Sequence, residues 1–197
     1  MESKINYRKI NKEIKKFVKE SVSDSRYKHS LRTAKMCKKL CNKYGFDKNK
    51  AYLAGLAHDM CKKFTNEKLI SLVEEGNLQI SSIEQDKPAL LHGKAASVLI
   101  QKKFQIKDSE IIEAIANHTF GNTNLSSIAK VLYVADKIEE ERPQVSKEYY
   151  KNLFSKDFDN LVYTVVNESV EYLTKKGKNI SKVTKDFLEE LDEIRIK

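Results

Sequence analysis

Proline and glycine are scarce. Two prolines and six glycines in 197 residues supply too few turn formers for a β-sandwich or barrel, which makes helix the favoured class. Cysteine is scarce as well: Cys37, Cys41 and Cys61 are odd in number and follow no zinc-ribbon or disulfide spacing. Cys37 and Cys41 fall on one helix face, as small core residues do. Long apolar runs are missing, so no segment reads as a membrane span, and the basic amino terminus lacks the apolar stretch of a secretory signal. A cytoplasmic protein with no membrane partner is the expectation. No repeat, low-complexity tract or obvious linker interrupts the chain.

Apolar residues make up 40% and charged residues 33% of the sequence, a globular composition, and the length suits one domain with a sizeable core. Lysine and arginine outnumber aspartate and glutamate by 37 to 28, a net charge of +9. Such a surplus attracts a nucleotide phosphate, RNA or an acidic membrane surface, although lysines spread along a whole chain are more often a solvated surface.

Apolar spacing predicts helices throughout. Ile10, Ile14, Phe17 and Val18 form the stripe of a basic amphipathic helix over residues 6–20. Tyr27, Leu31, Ala34, Leu40 and Cys41 form the next, with Gly45 as its stop. Asp47 caps a third, whose dense run from Ala51 to Met60 belongs in the core. Thr65 caps a short helix that Gly76 ends, residues 77–87 read as a loop, and Pro88 suits the first turn of a helix carrying Leu91, Ala95 and Ile100. Asp108 caps another with Ile111 and Ile115, and a loop over residues 119–124 holds Gly121. Ser126 or Ser127 starts a helix whose stripe runs through Ile128, Val131, Leu132, Ala135, Asp136 and Glu139 and which Pro143 is expected to end. A long helix from Phe158 to Leu173 and a last one around Phe187 and Leu191 complete an all-α chain.

Four histidines occur in the whole sequence, and His29, His58, His92 and His118 fall near starts or ends of separate helices. Two acids interrupt apolar stripes: Asp59, directly after His58, and Asp136. A buried carboxylate is costly unless paired with a cation or bound to a metal. Each histidine alone is more often structural or exposed; as a set with two acids on core-facing stripes they read as a metal-site inventory. Imidazole and carboxylate without thiolate suit iron, manganese, zinc or another borderline to hard ion.

The order H…HD…D, met here as His29, His58-Asp59 and Asp136, resembles the HD superfamily of all-helical metal-dependent phosphohydrolases. The flanking segments RYKHSLRTA, LAGLAHDMCK, LLHGKAA, IANHTFG and YVADKIEEER resemble its YqeK family of symmetrical bis(5′-nucleosyl)-tetraphosphatases. The likeness covers about Arg26 to Arg142. It implies a single-domain helical bundle with residues 26–142 as the phosphohydrolase core, a helix within 1–25 packed on it, and helices within 143–197 completing the same domain. It further implies hydrolysis of diadenosine tetraphosphate into two ADP, a homodimer, and a metal centre held by His29, His58, Asp59 and Asp136. Iron is favoured there, with manganese or another divalent transition metal as the alternative.

His29, Arg32, Asp59, His92, His118 and Arg142 match positions near the family's bound nucleotide, and the two arginines could each fork onto phosphate oxygens. His92 and His118 could instead complete a second metal site. Lys62 could face the phosphates or be a surface lysine, and residues 177–184 match a family loop near the base only loosely. The candidate catalytic residues are Asp59, to orient or deprotonate water, and His92 and His118, to stabilise charge on the phosphate chain. One departure bears on Arg142: the family pattern I-E-P-x-R is replaced by Ile138-Glu139-Glu140-Glu141-Arg142, without the proline. The rival readings are another HD-type phosphohydrolase, acting on a nucleoside monophosphate, a cyclic dinucleotide or guanosine tetraphosphate, and a non-catalytic nucleotide-sensing or RNA-binding module with a ribosomal or RNA partner. No aromatic-rich RNA-binding pattern supports the last.

Overall fold

The computed structural model describes residues 5–196, with side chains to residue 195. Helix α1 (Tyr7–Ser21) is capped by Asn6, and α2 (Asp24–Tyr44) by Ser23, whose hydroxyl accepts from the Arg26 amide. Gly45 closes α2 in the left-handed conformation at φ 80°, which glycine enters without steric cost. Asp47 caps α3 (Lys48–Ala57), a helix with an apolar or small residue at nearly every position after its first turn; Leu53, Ala54, Leu56 and Ala57 are all buried. Then come α4 (Asn66–Glu75), α5 (Ser82–Asp86), a 3₁₀ turn (Pro88–Leu91), α6 (His92–Phe104), α7 (Ser109–Asn117), α8 (Ser127–Ile138), α9 (Lys147–Phe154), α10 (Phe158–Lys175) and α11 (Lys182–Ile196). Among the described residues there is no strand.

The bundle is organised around α2, α3, α7 and α8. Helix α2 lies along α3 and α8, α7 packs on α3 and α8, and α6 covers α7. Helix α1 closes one side against α3, and the α10–α11 pair closes another against α8, with Phe187 edge-on to Tyr133. The core they share includes Ile14, Leu40, Leu53, Leu56, Ile100, Ile111, Ile115 and Leu132, none more than 1% exposed. Each such side chain removed from water contributes on the order of 1.5–3 kcal/mol, so the four central helices are held in fixed register. Among the described residues no helix is long and apolar enough to cross a membrane.

Two local expectations are corrected. Residues 77–87 are not all loop: Ser81 and Glu84 form a capping box that starts α5, and Glu84 is buried with Lys94 2.7 Å away. Five residues of mixed polarity gave no periodic signal. Gly76 ends α4 as expected, at φ −83°, with Asn77 after it taking the positive φ; a Cβ on Gly76 would lie 2.4 Å from Val98 Cγ2. Helix α8 ends at Ile138, not at Pro143. Glu139 leaves the helix with ψ 155° because its side chain turns across to α2. The short α9, capped by Ser146, was not expected at all.

Cys37, Cys41 and Cys61 are free and buried, and burial pushes the Cys41 and Cys61 thiols up to about 12 and Cys37 up as well. A thiolate is the reactive species. At pH 8 the native protein is therefore expected to react negligibly with a thiol-specific disulfide reagent, and the denatured chain to titrate all three. Rapid native reaction of even one thiol would contradict this packing.

Candidate metal centre and phosphate cavity

Four ligand atoms converge where α2, the end of α3 and α8 meet. Asp136 Oδ1 lies 2.9 Å from His29 Nε2 and 3.7 Å from His58 Nε2, the two imidazole nitrogens are 3.3 Å apart, and Asp59 Oδ2 is 3.4 Å from His58 Nε2 and 3.8 Å from His29 Nε2. Ligands about 2.1 Å from one ion stand roughly 3.0–3.5 Å from each other in octahedral or tetrahedral arrangement, so this spacing suits a first-row divalent cation.

The tautomers carry the argument further. A carbonyl oxygen only accepts, so His58 Nδ1–H, 2.8 Å from the Gly55 carbonyl, is the donor of that ring. His29 has a carboxylate at each nitrogen, Glu139 Oε1 at 3.1 Å from Nδ1 and Asp136 Oδ1 at 2.9 Å from Nε2, and with a cation on the Asp136 side its proton sits on Nδ1 and donates to Glu139. Both Nε2 atoms are then lone pairs. Two imidazole lone pairs and two carboxylate oxygens pointing at one buried spot repel one another unless a cation sits among them. The donor set therefore fits a metal ion on its own chemistry.

His92 and His118 repeat the device. Their Nδ1–H groups donate to the Ala89 and Ile115 carbonyls, each at 2.8 Å, and their Nε2 atoms lie 3.1 Å apart. Asp59 Oδ1, the second oxygen of the same carboxylate, is 3.2 Å from His92 Nε2 and 3.8 Å from His118 Nε2. Here a cation is already at hand, because Lys62 Nζ donates to His92 Nε2 at 3.0 Å. The three turn-end histidines share one local cause: carbonyls at the end of a helix lack intrahelical donors, and the imidazole three residues on supplies one.

Over these groups opens a cavity of about 240 Å³ lined by Arg26, Asp59, Lys62, His92, His118, Thr119, Asp136, Lys137 and Arg142. Arg26 Nη1 donates to Asp59 Oδ2 and Arg142 Nη2 to Asp136 Oδ1, both at 2.8 Å. Lys137 Nζ donates to the His118 carbonyl at 3.1 Å and rests on the Tyr133 ring at 3.8 Å. Burial works to raise Asp59 and Asp136, yet the imidazoles around Asp59, and Lys137, His29, His58 and Arg142 around Asp136, hold both well below the usual carboxylate range. Burial lowers Lys62 and Lys137; for His118, burial and then the neighbouring His58 and His92 lower it well. Four cations thus stand around two ionised carboxylates at the mouth of a buried acceptor cluster, an arrangement that admits a polyphosphate.

All four histidines, Asp59, Asp136 and Arg142 meet at this one place. Arg32 does not line the cavity: its Nε is 2.5 Å from Glu139 Oε2 and its Nη2 3.2 Å from Glu139 Oε1, on the far side of His29. Residues 177–184 do not line the cavity; Thr184 Oγ1 donates to the carbonyl of Phe120, the residue after Thr119, at 2.8 Å. Sequence reasoning missed Arg26, Lys137 and Glu139. Arg26 had a signal, since three residues before His29 is the same helix face.

An all-helical bundle that gathers imidazoles and carboxylates under a basic cavity defines a metal-dependent phosphohydrolase. The chain belongs to the HD domain family, whose domain matches residues 26–141. It is similar to proteins named bis(5′-nucleosyl)-tetraphosphatase, symmetrical: 28% identical to that of Staphylococcus aureus over 88% of this chain and 90% of the relative, and 25% identical to that of Bacillus subtilis over 83% and 87%. A Mycoplasma genitalium protein named probable nicotinate-nucleotide adenylyltransferase/Ap4A hydrolase is 32% identical over 64% of this chain and 35% of its own length. Among solved structures, a Clostridium acetobutylicum protein described as a predicted HD superfamily hydrolase involved in NAD metabolism superposes with a TM-score of 0.85 at 28% identity, covering 95% of this chain and 98% of that one.

Proposed function

We propose that this protein is a metal-dependent hydrolase that cuts diadenosine tetraphosphate symmetrically into two ADP, with residues 26–142 as its catalytic core and the helices on either side completing the same domain. The observation that carries the reading is the grouping of His29, His58 and Asp136, with Asp59 Oδ2 3.4 Å from His58 Nε2 and 3.8 Å from His29 Nε2, beneath a cavity with four cationic side chains. The named tetraphosphatases that match most of the chain supply the substrate. The iron assignment and the homodimer rest on the resemblance of the sequence, and the cytoplasmic setting on its lack of a long apolar run or secretory stretch.

A divalent cation bound by these four residues supplies neutralisation of phosphate charge and a water of lowered pKa. The chain's own groups do the rest. A tetraphosphate chain carries about four negative charges, and Arg26, Lys62, Lys137 and Arg142 stand around the cavity to meet them with charge-assisted hydrogen bonds. The two arginines already hold Asp59 and Asp136, so binding shares their donors with phosphate without moving them far. Asp59 Oδ1, turned to the cavity, is placed to accept a proton from the attacking water. With their Nδ1–H groups spent on carbonyls, His92 and His118 present acceptors. They suit holding the water and the Lys62 ammonium, and the stabilisation of developing charge falls to the cations. ADP is a good leaving group and needs little protonation.

A second reading concerns the number of ions. Because Asp59 turns one oxygen to each histidine pair, a second cation bound by Asp59, His92 and His118 is favoured by geometry and opposed by Lys62, which already occupies that pair.

One experiment tests both. Purified protein of measured metal content is incubated with diadenosine tetraphosphate, with and without added iron or manganese, and the products are separated by chromatography. ADP alone is the expected product, with one ion per chain. AMP plus ATP would overturn the symmetrical register, no turnover in metal-loaded protein would overturn the substrate, and two ions per active chain would establish the second reading.

A further inference from the structure

His29 differs from the other three histidines in what holds its ring. His58, His92 and His118 each donate Nδ1–H to a carbonyl freed by a helix end or turn. His29 sits inside α2, where the carbonyls behind it are taken by the helix, so no backbone acceptor is within its reach. Glu139 fills that role from another helix. It is 2% exposed, and its Oε1 accepts from His29 Nδ1. Its own orientation is over-determined: Arg32 forks onto both oxygens through Nε and Nη2, and the Glu141 amide donates to Oε2 at 3.0 Å. Helix α8 ends at Ile138, one residue before it, where Glu139 crosses to α2.

We infer that Glu139 and Arg32 are a positioning pair that locks His29 in the Nδ1–H tautomer and so keeps its Nε2 lone pair available to a divalent cation. Arg32, matched by sequence to the nucleotide site, acts here through Glu139 and His29 and not on substrate. A full carboxylate on the remote nitrogen also makes His29 a better donor than the three histidines that lean on neutral carbonyls. The inference rests on the reading of His29 as a metal ligand.

The test is Glu139→Gln, which preserves shape, reverses the hydrogen bond to His29 and gives up the weaker one from Arg32 Nη2 to the same position. Two donors, Arg32 Nε and the Glu141 amide, converge on the Oε2 position and claim the amide oxygen there. The amide NH₂ is left facing His29 Nδ1, where it donates instead of accepting, and His29 is driven to the Nε2–H tautomer that blocks its ligating nitrogen. In metal-free protein, ¹⁵N NMR of the imidazoles is expected to show His29 as Nδ1–H in the wild type and Nε2–H in the variant. Metal affinity by chelator competition is expected to fall about 10–100-fold, while the melting temperature of the metal-free protein stays within a few degrees. Arg32→Lys, which keeps one donor and the charge, is expected to weaken metal binding a few-fold in the same direction, and it serves if the glutamine variant does not fold. Unchanged affinity and tautomer in Glu139→Gln, with His29→Ala losing metal, overturns the positioning pair alone. Unchanged affinity in His29→Ala overturns the ligand assignment beneath it.

Discussion

Asp136→Asn is expected to remove metal and activity together, with metal affinity down at least about 100-fold and turnover below about one-thousandth of wild type. Asp136 Oδ1 is the oxygen nearest to His29 Nε2 at 2.9 Å, and the same oxygen accepts from Arg142 Nη2. The amide that replaces it is neutral, a weaker ligand, and one of its two ends is a donor. If the NH₂ faces the imidazoles, it fills the cation position with hydrogen; if it faces Arg142 and Lys137, donors meet donors. Charge makes this worse. The cavity has Asp59 and Asp136 as its carboxylates against Arg26, Lys62, Lys137 and Arg142, and losing one leaves a cluster more repellent to any divalent ion. The metal-free protein is expected to lose stability as well, about 1–3 kcal/mol, the usual worth of hydrogen bonds to a charged partner. Chelator competition and steady-state kinetics check the first effect, thermal unfolding of the metal-free form the second. Wild-type metal affinity in the variant would exclude Asp136 as a ligand.

The candidate metal ligands were the part of this site visible in the sequence, for a physical reason. His58, Asp59 and Asp136 interrupt apolar stripes, and a polar side chain facing a core is a local anomaly that periodicity exposes. Lys137 interrupts nothing; in a chain with 37 lysines and arginines, one more beside Asp136 carries no signal, and only the fold turns it into the cavity. Glu139 fell on the same stripe as Asp136, but its role was invisible for another reason. Its position matters only because α8 stops one residue before it, and that stop is set by the contact to Arg32 and His29 across 110 residues of chain. The helices themselves were legible wherever a capping side chain met a long apolar stripe, as at Ser23, Asp47, Thr65, Asp108 and Ser126. Where elements were short and mostly polar, as α5 and α9 are, tertiary contacts decide and the sequence is silent.

Gly55→Ala is expected to destabilise the protein and weaken metal binding at once, although alanine is the better helix former by about 1 kcal/mol. Gly55 lies in α3 three residues before His58, and Ala34 lies in α2 five residues after His29, where the two helices cross. A Cβ on Gly55 would stand 2.7 Å from Ala34 Cα, 3.0 Å from Ala34 N and 3.1 Å from Cys37 Sγ. The first two are backbone and cannot swing aside. Restoring an ordinary contact of about 3.5 Å needs a separation of roughly 0.8 Å between the helices. Overpacking of this kind costs about 1–3 kcal/mol, enough to cancel the propensity gain and leave a net loss. The same displacement acts on the metal centre. Helix α2 carries His29 and α3 leads into His58, whose ring is tied to the Gly55 carbonyl itself. Metal–ligand distances tolerate about 0.2 Å, so moving the helices apart by several times that takes one imidazole out of reach. Metal affinity is expected to fall at least tenfold and the melting temperature to drop. The two measurements together decide the matter, because a variant that melted higher and held its metal as tightly would show that propensity had won and that the crossing of α2 and α3 does not set the spacing of His29 and His58.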